Sequence, residues 1–353
     1  MMTTEILLPG IGEPESLQVR VRDLGQPGPG EALVRVEATG ISFAEQQMRR
    51  GRYYNQPAFP FVPGYDLVGV VEALGVDAPP DGPQVGERVA ALTKIGGWAE
   101  RVLLDAADLV PVPAGVDAAA AETAIVNGST AWRMLHRSAR VRPGDTVVVL
   151  GAGGGVGTIL VQLARVMGLD VIGVAGAPQL DRVRALGATP VDHRREDVPA
   201  RVRELAPGGV AAVFDHVAGP GLSDSWRMLA PGGTLVVYGT LAVARSDRDP
   251  RLPFVLTIAR VLAWNLLPNG RHASFFNVWA GHTRHLDRFR TELRADLGQV
   301  FAHLADGTVT AQVAAEYPLE EAAAALRRAE SGGLTGKVLL RPTPHTGPLA
   351  AGG

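Results

Sequence analysis

The sequence predicts an α/β protein in two parts, an antiparallel β domain and a doubly wound parallel sheet, and three observations carry that expectation. The chain has 353 residues, enough for two cores at roughly 150 residues per domain. Up to about residue 113 it consists of short alternating or β-branched runs broken by Gly and Pro, the pattern of antiparallel strands. From about residue 118 helical apolar periods alternate with solid apolar runs, and repeated strand–helix alternation winds into a parallel sheet.

Taken in order, the expected strands of the first part are 17–21, 32–37, 67–74, 88–92 and 98–104. A helix follows over 124–134, and Thr146–Leu150 is a solid apolar run suited to a strand buried on both faces. The alternation continues with helix 158–167, strand 171–175, helix 178–186, a short strand near 190–191, helix 198–205, strand 211–215, helix 222–229 and strand 234–238. Beyond Pro268 come a β-like piece at 273–278, a long polar helix over 282–297, a helix or strand near 300–304, and a stretch at 320–329 leading to 337–340. This last part is expected to return to the first domain, and residues 342–353, rich in Pro, Gly and small side chains, to fray.

Composition narrows the chemistry. With no cysteine, the chain has no disulfide, no iron–sulfur cluster, no thiolate nucleophile and no sulfur-liganded zinc, and a reducing cytoplasm is its natural setting. A net charge of −2, with 20% charged residues of both signs, gives no basic footprint for nucleic acid or anionic lipid, so the expected partner is a small molecule. The opening Met1-Met2-Thr3-Thr4-Glu5 lacks the basic and apolar regions of a signal peptide. The most apolar segment, 254–267, has the length of a buried helix, falls short of the ~20 residues a bilayer needs, and carries Arg260, so no membrane span is expected.

The strand at 146–150 runs directly into Gly151-Ala152-Gly153-Gly154-Gly155-Val156-Gly157 and a helix. Read from Ala152 this is A-x-G-x-x-G, in which Gly154 lets backbone approach a pyrophosphate and Gly157 lets helix and strand pack closely. The helix N-terminus supplies N–H donors and positive dipole to the phosphates. At the end of the next strand, where an Asp or Glu would bind a ribose 2′-hydroxyl and repel a 2′-phosphate, stand Val174-Ala175-Gly176-Ala177. That absence favours NADPH, with Arg182, Arg194 and Arg195 as candidate phosphate partners.

The glycine turn, together with Gly40-Ile41-Ser42-Phe43-Ala44-Glu45, Phe61-Val62-Pro63-Gly64-Tyr65-Asp66-Leu67-Val68-Gly69, Val85-Gly86-Glu87-Arg88-Val89 and Asn127-Gly128-Ser129-Thr130-Ala131, resembles the medium-chain dehydrogenase/reductase superfamily, zinc-free quinone oxidoreductase branch. The resemblance covers nearly the whole chain. It implies a chaperonin-10-like (GroES-like) antiparallel β domain over 1–124 and 268–345, a Rossmann domain over 125–267 between them, a flexible tail at 346–353 and a homodimer, with 261–267 and 273–278 as a candidate contact. Zinc-bearing relatives have a cysteine where this chain has Ser42, a histidine at Tyr65, an acid at Asp66 and a cysteine near Val126, so the resemblance implies no metal site. Without that Lewis acid a quinone or α,β-unsaturated carbonyl is the better hydride acceptor.

By the same resemblance Tyr53 lies near the nicotinamide as a proton donor, with Tyr54 as an adjacent rival and Ser42 as a substrate hydrogen bond. Asn127 and Thr130 face the cofactor, while Val217, Tyr238 and Gly239, at carboxyl strand ends, line its nicotinamide side. Gln179 matches a lysine that relatives use on the 2′-phosphate, His193 matches a tyrosine often beside it, and Lys337 stands where the family often has lysine. Two alternatives stay open: a zinc-free alcohol dehydrogenase, and a nicotinamide-binding protein without turnover. His282 and His285, spaced as neighbours on a helix, lack further ligands for a metal.

Overall fold

The computed structural model describes residues 1–241 and 251–343. The chain opens with a two-stranded antiparallel ribbon, β1 (Met2–Leu7) and β2 (Gln18–Asp23). It then forms a seven-stranded sheet from β3 (Glu31–Ile41), β4 (Asp66–Leu74), β5 (Arg88–Leu92), β6 (Arg101–Asp105) and β7 (Val110–Pro111), joined from the far end of the chain by β14 (Val313–Pro318) and β15 (Lys337–Arg341). The order is β14-β15-β3-β4-β5-β7, with β6 also on β3; β15 pairs antiparallel with β3, so the C-terminal part does return to the first domain.

Between them lies a six-stranded sheet of β8 (Thr146–Leu150), β9 (Asp170–Ala175), β10 (Thr189–Asp192), β11 (Val210–Asp215), β12 (Leu229–Val237) and β13 (His272–Phe275). Its order, β10-β9-β8-β11-β12-β13, is parallel throughout and reverses direction between β8 and β11, the position at which doubly wound sheets bind ligands. Val147, Val148 and Val149 are fully buried, which explains the unbroken apolar run. Helices α3 (Gly155–Val166), α4 (Leu180–Ala185), α5 (Val198–Leu205) and α6 (Leu222–Arg227) connect the strands. Helix α2 (Ala118–Arg133), started by Asp117 accepting from the Ala119 and Ala120 N–H groups, spans the junction of the two domains and packs on α8 (Leu286–Ala305).

Several expected boundaries move. β13 is the sixth parallel strand, so this sheet extends beyond the expected limit at 267. The helix expected over 282–297 and the helix or strand expected near 300–304 are one element, α8, and His282 and His285 precede it in a turn, so they do not share a helix face. The apolar segment at 254–267 is not a buried helix: in α7 (Arg251–Trp264) Val261 is buried, but Leu252, Val255, Leu256 and Leu262 are exposed. Trp98 lies before β6, its indole donating to the Gly40 carbonyl at 3.0 Å. β1, β14 and α1 (Phe43–Arg49) were not anticipated; in β1 and α1 the buried face includes Thr3, Thr4, Glu5, Glu45, Gln47 and Arg49, which a search for apolar periodicity passes over. Of the tail expected to fray, residues 344–353 lie outside the described residues. The helical stretch before β15 is α9 (Ala322–Glu330).

A buried ionic cluster ties the two ends of the chain to the interdomain helix. Lys337 Nζ, at the start of β15, donates to both carboxylate oxygens of Asp66 at 2.7 Å and to Glu122 Oε1 on α2 at 2.8 Å. Asp66 Oδ2 also accepts from the Val126 N–H at 3.0 Å. Burial pulls the Lys337 ammonium toward its neutral form, but the Asp66 and Glu122 charges outweigh it and hold its pKa above the ordinary range. Burial, with the Asp66 charge, pushes the Glu122 carboxyl well upward, and Glu122 Oε2 has no hydrogen-bond partner among the described residues.

Because Glu122 holds its proton more tightly folded than unfolded, its contribution is complete below the ordinary carboxyl pKa and is lost as pH rises through the raised value. Glu122→Gln should therefore flatten the decline of stability with rising pH, whereas Lys337→Met, which leaves Asp66 buried without its cation, should cost about 3–5 kcal/mol. Urea unfolding across mildly acid to neutral pH checks both; a Lys337→Met variant as stable as the parent would contradict the arrangement.

Candidate active site

The glycine turn sits at the carboxyl end of β8, between the ends of β9 and β11. Gly151 has φ +73°, a left-handed conformation that favours glycine, and a Cβ there would stand 2.3 Å from His216 Cε1. Gly157 allows close helix–strand packing, since a Cβ would lie 2.1 Å from the Gly151 carbonyl oxygen. A Cβ at Gly153 would meet Gln179 Cδ at 2.6 Å, and one at Gly155 would meet Asn127 Nδ2 at 2.6 Å. Gly154, the N-cap of α3, meets only the Gly151 carbonyl oxygen at 3.3 Å, and no side chain caps the helix. Ala152 is buried and Val156 half-buried beside it. The uncapped α3 N-terminus thus keeps N–H donors for an anion, and Asn127, 7% exposed, directs toward the turn an Nδ2 group that finds no partner among the described residues. An amide donor left unsatisfied in a buried position is costly unless a ligand completes it, so these residues fit a dinucleotide.

The remaining strand ends complete the rim. Thr130 is three residues after Asn127 on α2, hence on the same side of that helix. Gly176 follows β9, and His193 Nε2 lies 3.6 Å from where its Cβ would be. Gln179 Nε2 donates to the Leu334 carbonyl at 2.5 Å. After β11, Asp215 Oδ1 accepts from the Val217 and Ala218 N–H groups at 2.8 and 2.9 Å, and Ser225 donates to its other oxygen at 2.7 Å. These bonds hold Ala218 at φ 52°, ψ −146°, a region that costs a non-glycine residue about 1–3 kcal/mol. Asp215 is therefore the anchor of a strained turn. Tyr238 places its ring 5.9 Å from His216, and a Cβ at Gly239 would meet the His216 carbonyl oxygen at 2.7 Å.

On the other domain, the loop after α1 carries Tyr53 and Tyr54. Tyr53 Oη lies 2.8 Å from Tyr65 Oη, and Tyr65 Oη accepts from Trp279 Nε1 at 2.5 Å. Tyr54, 52% exposed, donates to Asn277 Oδ1 at 3.1 Å and stacks on Phe254 with centroids 5.9 Å apart. Phe254 in turn meets Phe275 edge-on at 5.3 Å, and Phe275 is paired with Val237, the residue before Tyr238. An aromatic row thus joins the Tyr53 loop to the carboxyl ends of β12 and β13. Burial first, then the neighbouring Tyr65 and Tyr54, pushes the Tyr53 phenol far above its ordinary pKa; burial does the same for Tyr65. Both hydroxyls remain protonated at neutral pH.

Other expected residues are engaged elsewhere. Ser42 caps α1: its hydroxyl donates to Glu45 Oε2 and accepts from the Ala44 N–H, which takes its proton away from a substrate. Lys337 is enclosed by Asp66 and Glu122, although the preceding Gly336 bridges to Gly154. Arg182 donates to Gln312 Oε1 and lines a groove with Gln162, Arg165 and Thr310. The positions that carry zinc ligands in relatives hold this capping serine, the Tyr65 phenol, the Asp66 carboxylate on its lysine and aliphatic Val126, a set that does not fit zinc. Neither Tyr65 as a site residue nor its pairing with Trp279 was anticipated; the signal for Tyr65 was its place in a metal-ligand slot, while nothing local marked its pairing with a tryptophan 214 positions away.

Residues 28–114 match the alcohol dehydrogenase GroES-like domain family and residues 155–266 the zinc-binding dehydrogenase family. The chain is 30% identical to the rat synaptic vesicle membrane protein VAT-1 homolog, over 96% of this chain and 84% of that protein. Among solved structures, the quinone oxidoreductase of Pseudomonas syringae superposes with a TM-score of 0.82 at 27% identity, over 96% of this chain and 100% of that one. The Escherichia coli quinone oxidoreductase complexed with NADPH gives a TM-score of 0.81 at 25% identity, over 96% and 100% of the two chains. With these matches, a GroES-like domain joined to a Rossmann domain, and zinc-ligand positions filled by serine, tyrosine and valine, the chain belongs to the zinc-free branch of the medium-chain dehydrogenase/reductase superfamily.

Proposed function

We propose that the protein is a metal-independent, NADPH-dependent reductase of quinones or α,β-unsaturated carbonyls. The observation that carries this reading is the Tyr53 hydroxyl, protonated and supported by Tyr65, on an aromatic row that runs to the sheet's carboxyl ends beside the glycine turn. NADPH is supported by the NADPH-bound Escherichia coli relative and by the lack of an acid after β9, where Gly176 stands beside His193. Bound there, the reduced cofactor supplies a hydride. The turn from Gly153 to Gly157 and the α3 N-terminus hold the pyrophosphate, Asn127 and Thr130 hold the cofactor from the α2 side, and Val217, Tyr238 and Gly239 flank its reactive end.

In this reading the flat apolar walls of Tyr54 and Phe254 orient a planar conjugated substrate and exclude water from it during the transfer. Hydride addition leaves negative charge on the substrate oxygen, delocalised through the conjugated system, and Tyr53 Oη gives that oxygen its proton. No imidazole or metal is needed for the step. Pairing of two copies belongs to the same reading, supported by the sheet edge at β13 and by the exposed Leu252, Val255, Leu256 and Leu262 on α7.

Tyr53→Phe should lower kcat about 100-fold with menadione or crotonaldehyde while leaving NADPH affinity unchanged. Unchanged turnover would remove Tyr53 from the donor role. Asn127→Ala should weaken NADPH about tenfold, the loss of one buried hydrogen bond, measured by the fluorescence of the bound cofactor. Equal affinity would place the nucleotide away from α2. Because the Tyr53 phenol is raised by burial, kcat should show no loss from its ionisation up to about pH 10, the range where an ordinary phenol titrates.

A further inference from the structure

Resting on the reading of Tyr53 as proton donor, we propose that Tyr65 and Trp279 are positioning residues that fix the direction of the Tyr53 hydroxyl, so that its proton points into the cleft. Hydrogen-bond valence fixes that direction. An indole N–H donates and never accepts, so Tyr65 Oη must accept from Trp279 Nε1 at 2.5 Å. Tyr65 is 4% exposed and has one hydroxyl proton to place; among the described residues the other hydrogen-bond partner of that oxygen is Tyr53 Oη at 2.8 Å. Tyr65 therefore donates to Tyr53. Tyr53 need not donate in return, and its own proton is left for the neighbouring Tyr54 oxygen, which gives its own proton to Asn277, or for a substrate group that takes that place in the cleft.

Packing locks this order. The Tyr65 ring is edge-on to Tyr53, with centroids 6.3 Å apart at 90°, and to Trp279 at 5.8 Å and 69°, while the Tyr65 N–H donates to Glu45 Oε1 at 2.7 Å. Trp279 is held by its own N–H donating to Asn277 Oδ1 at 3.0 Å, the same oxygen that receives the Tyr54 hydroxyl. The chain ends on an indole that does not surrender its proton, so it supports a charge rather than relaying one. When Tyr53 gives its proton to the substrate oxygen, the O–H electron pair stays on Tyr53 Oη, the Tyr65 hydroxyl stabilises that phenolate, and solvent water returns the proton once the product has left the cleft.

A double-mutant cycle tests this, with NADPH and either menadione or crotonaldehyde. Tyr65→Phe should lower kcat about tenfold, and Trp279→Phe by a smaller factor, with the KM for each substrate and the affinity for NADPH unchanged. In the Tyr53→Phe background neither substitution should lower kcat further, because both act through the phenol that is already gone. A solvent deuterium isotope effect on kcat, present in the parent, should change in Tyr65→Phe and be insensitive to Tyr65 once Tyr53 is Phe. Losses that multiply across the cycle, or full kcat in Tyr65→Phe, would overturn the inference. Full kcat in Tyr53→Phe alone would overturn the donor assignment beneath it, a failure visible without the cycle. Should Tyr65→Phe fail to fold, Trp279→Phe completes the same cycle from a half-buried position.

Discussion

Three chain segments that are far apart in sequence meet at one ammonium group. Lys337 holds Asp66 of the first domain and Glu122 of the helix leading into the second, and the residue before it, Gly336, bridges to Gly154 of the nucleotide turn. The cluster therefore sets the relation between the β domain, α2 and the start of α3. A buried ion pair contributes little net stability against its desolvation, but losing one member leaves a charge with no partner, so the arrangement enforces one geometry rather than adding much free energy. In zinc-bearing relatives the neighbouring positions hold a metal; here the acid at position 66 is occupied by a lysine, and its neighbour Tyr65 is free to take part in the hydroxyl chain.

The two sides of the cleft do different work. On the Rossmann side the groups are backbone N–H donors, glycines that leave room, and one unsatisfied carboxamide, a set suited to binding and holding. On the β-domain side the groups are aromatic rings and a phenol, which in the proposed function receive a flat acceptor and deliver one proton. The strained turn at Ala218 belongs to the first side, and Asp215 spends its carboxylate on holding it, which removes Asp215 from any role as a base.

Much of this was legible in the sequence because strands buried on both faces and glycine turns have strong local signatures. The run Thr146–Leu150 and the Gly151–157 turn needed no tertiary context, and the strands of the parallel sheet up to residue 238 were found within a few positions, except that β12 begins at Leu229 instead of 234. Elements with polar buried faces were not legible: α1 buries Glu45, Gln47 and Arg49, and β1 buries Thr3, Thr4 and Glu5, whose partners are distant in the chain. The same limit applies to the site. Tyr53 was reached by resemblance, whereas the partnership of Tyr65 with Trp279 and the enclosure of Lys337 depend on contacts across more than 200 positions, which no spacing rule reports.

Cofactor consumption in chelator-treated protein reports whether hydride leaves NADPH for a conjugated acceptor without a metal. Menadione and crotonaldehyde are each supplied with NADPH and, separately, with NADH. Substrate-dependent oxidation of NADPH in preference to NADH is expected, at a rate the chelator does not change. Bound NADPH that is never oxidised, or activity abolished by the chelator and restored by zinc, would contradict it.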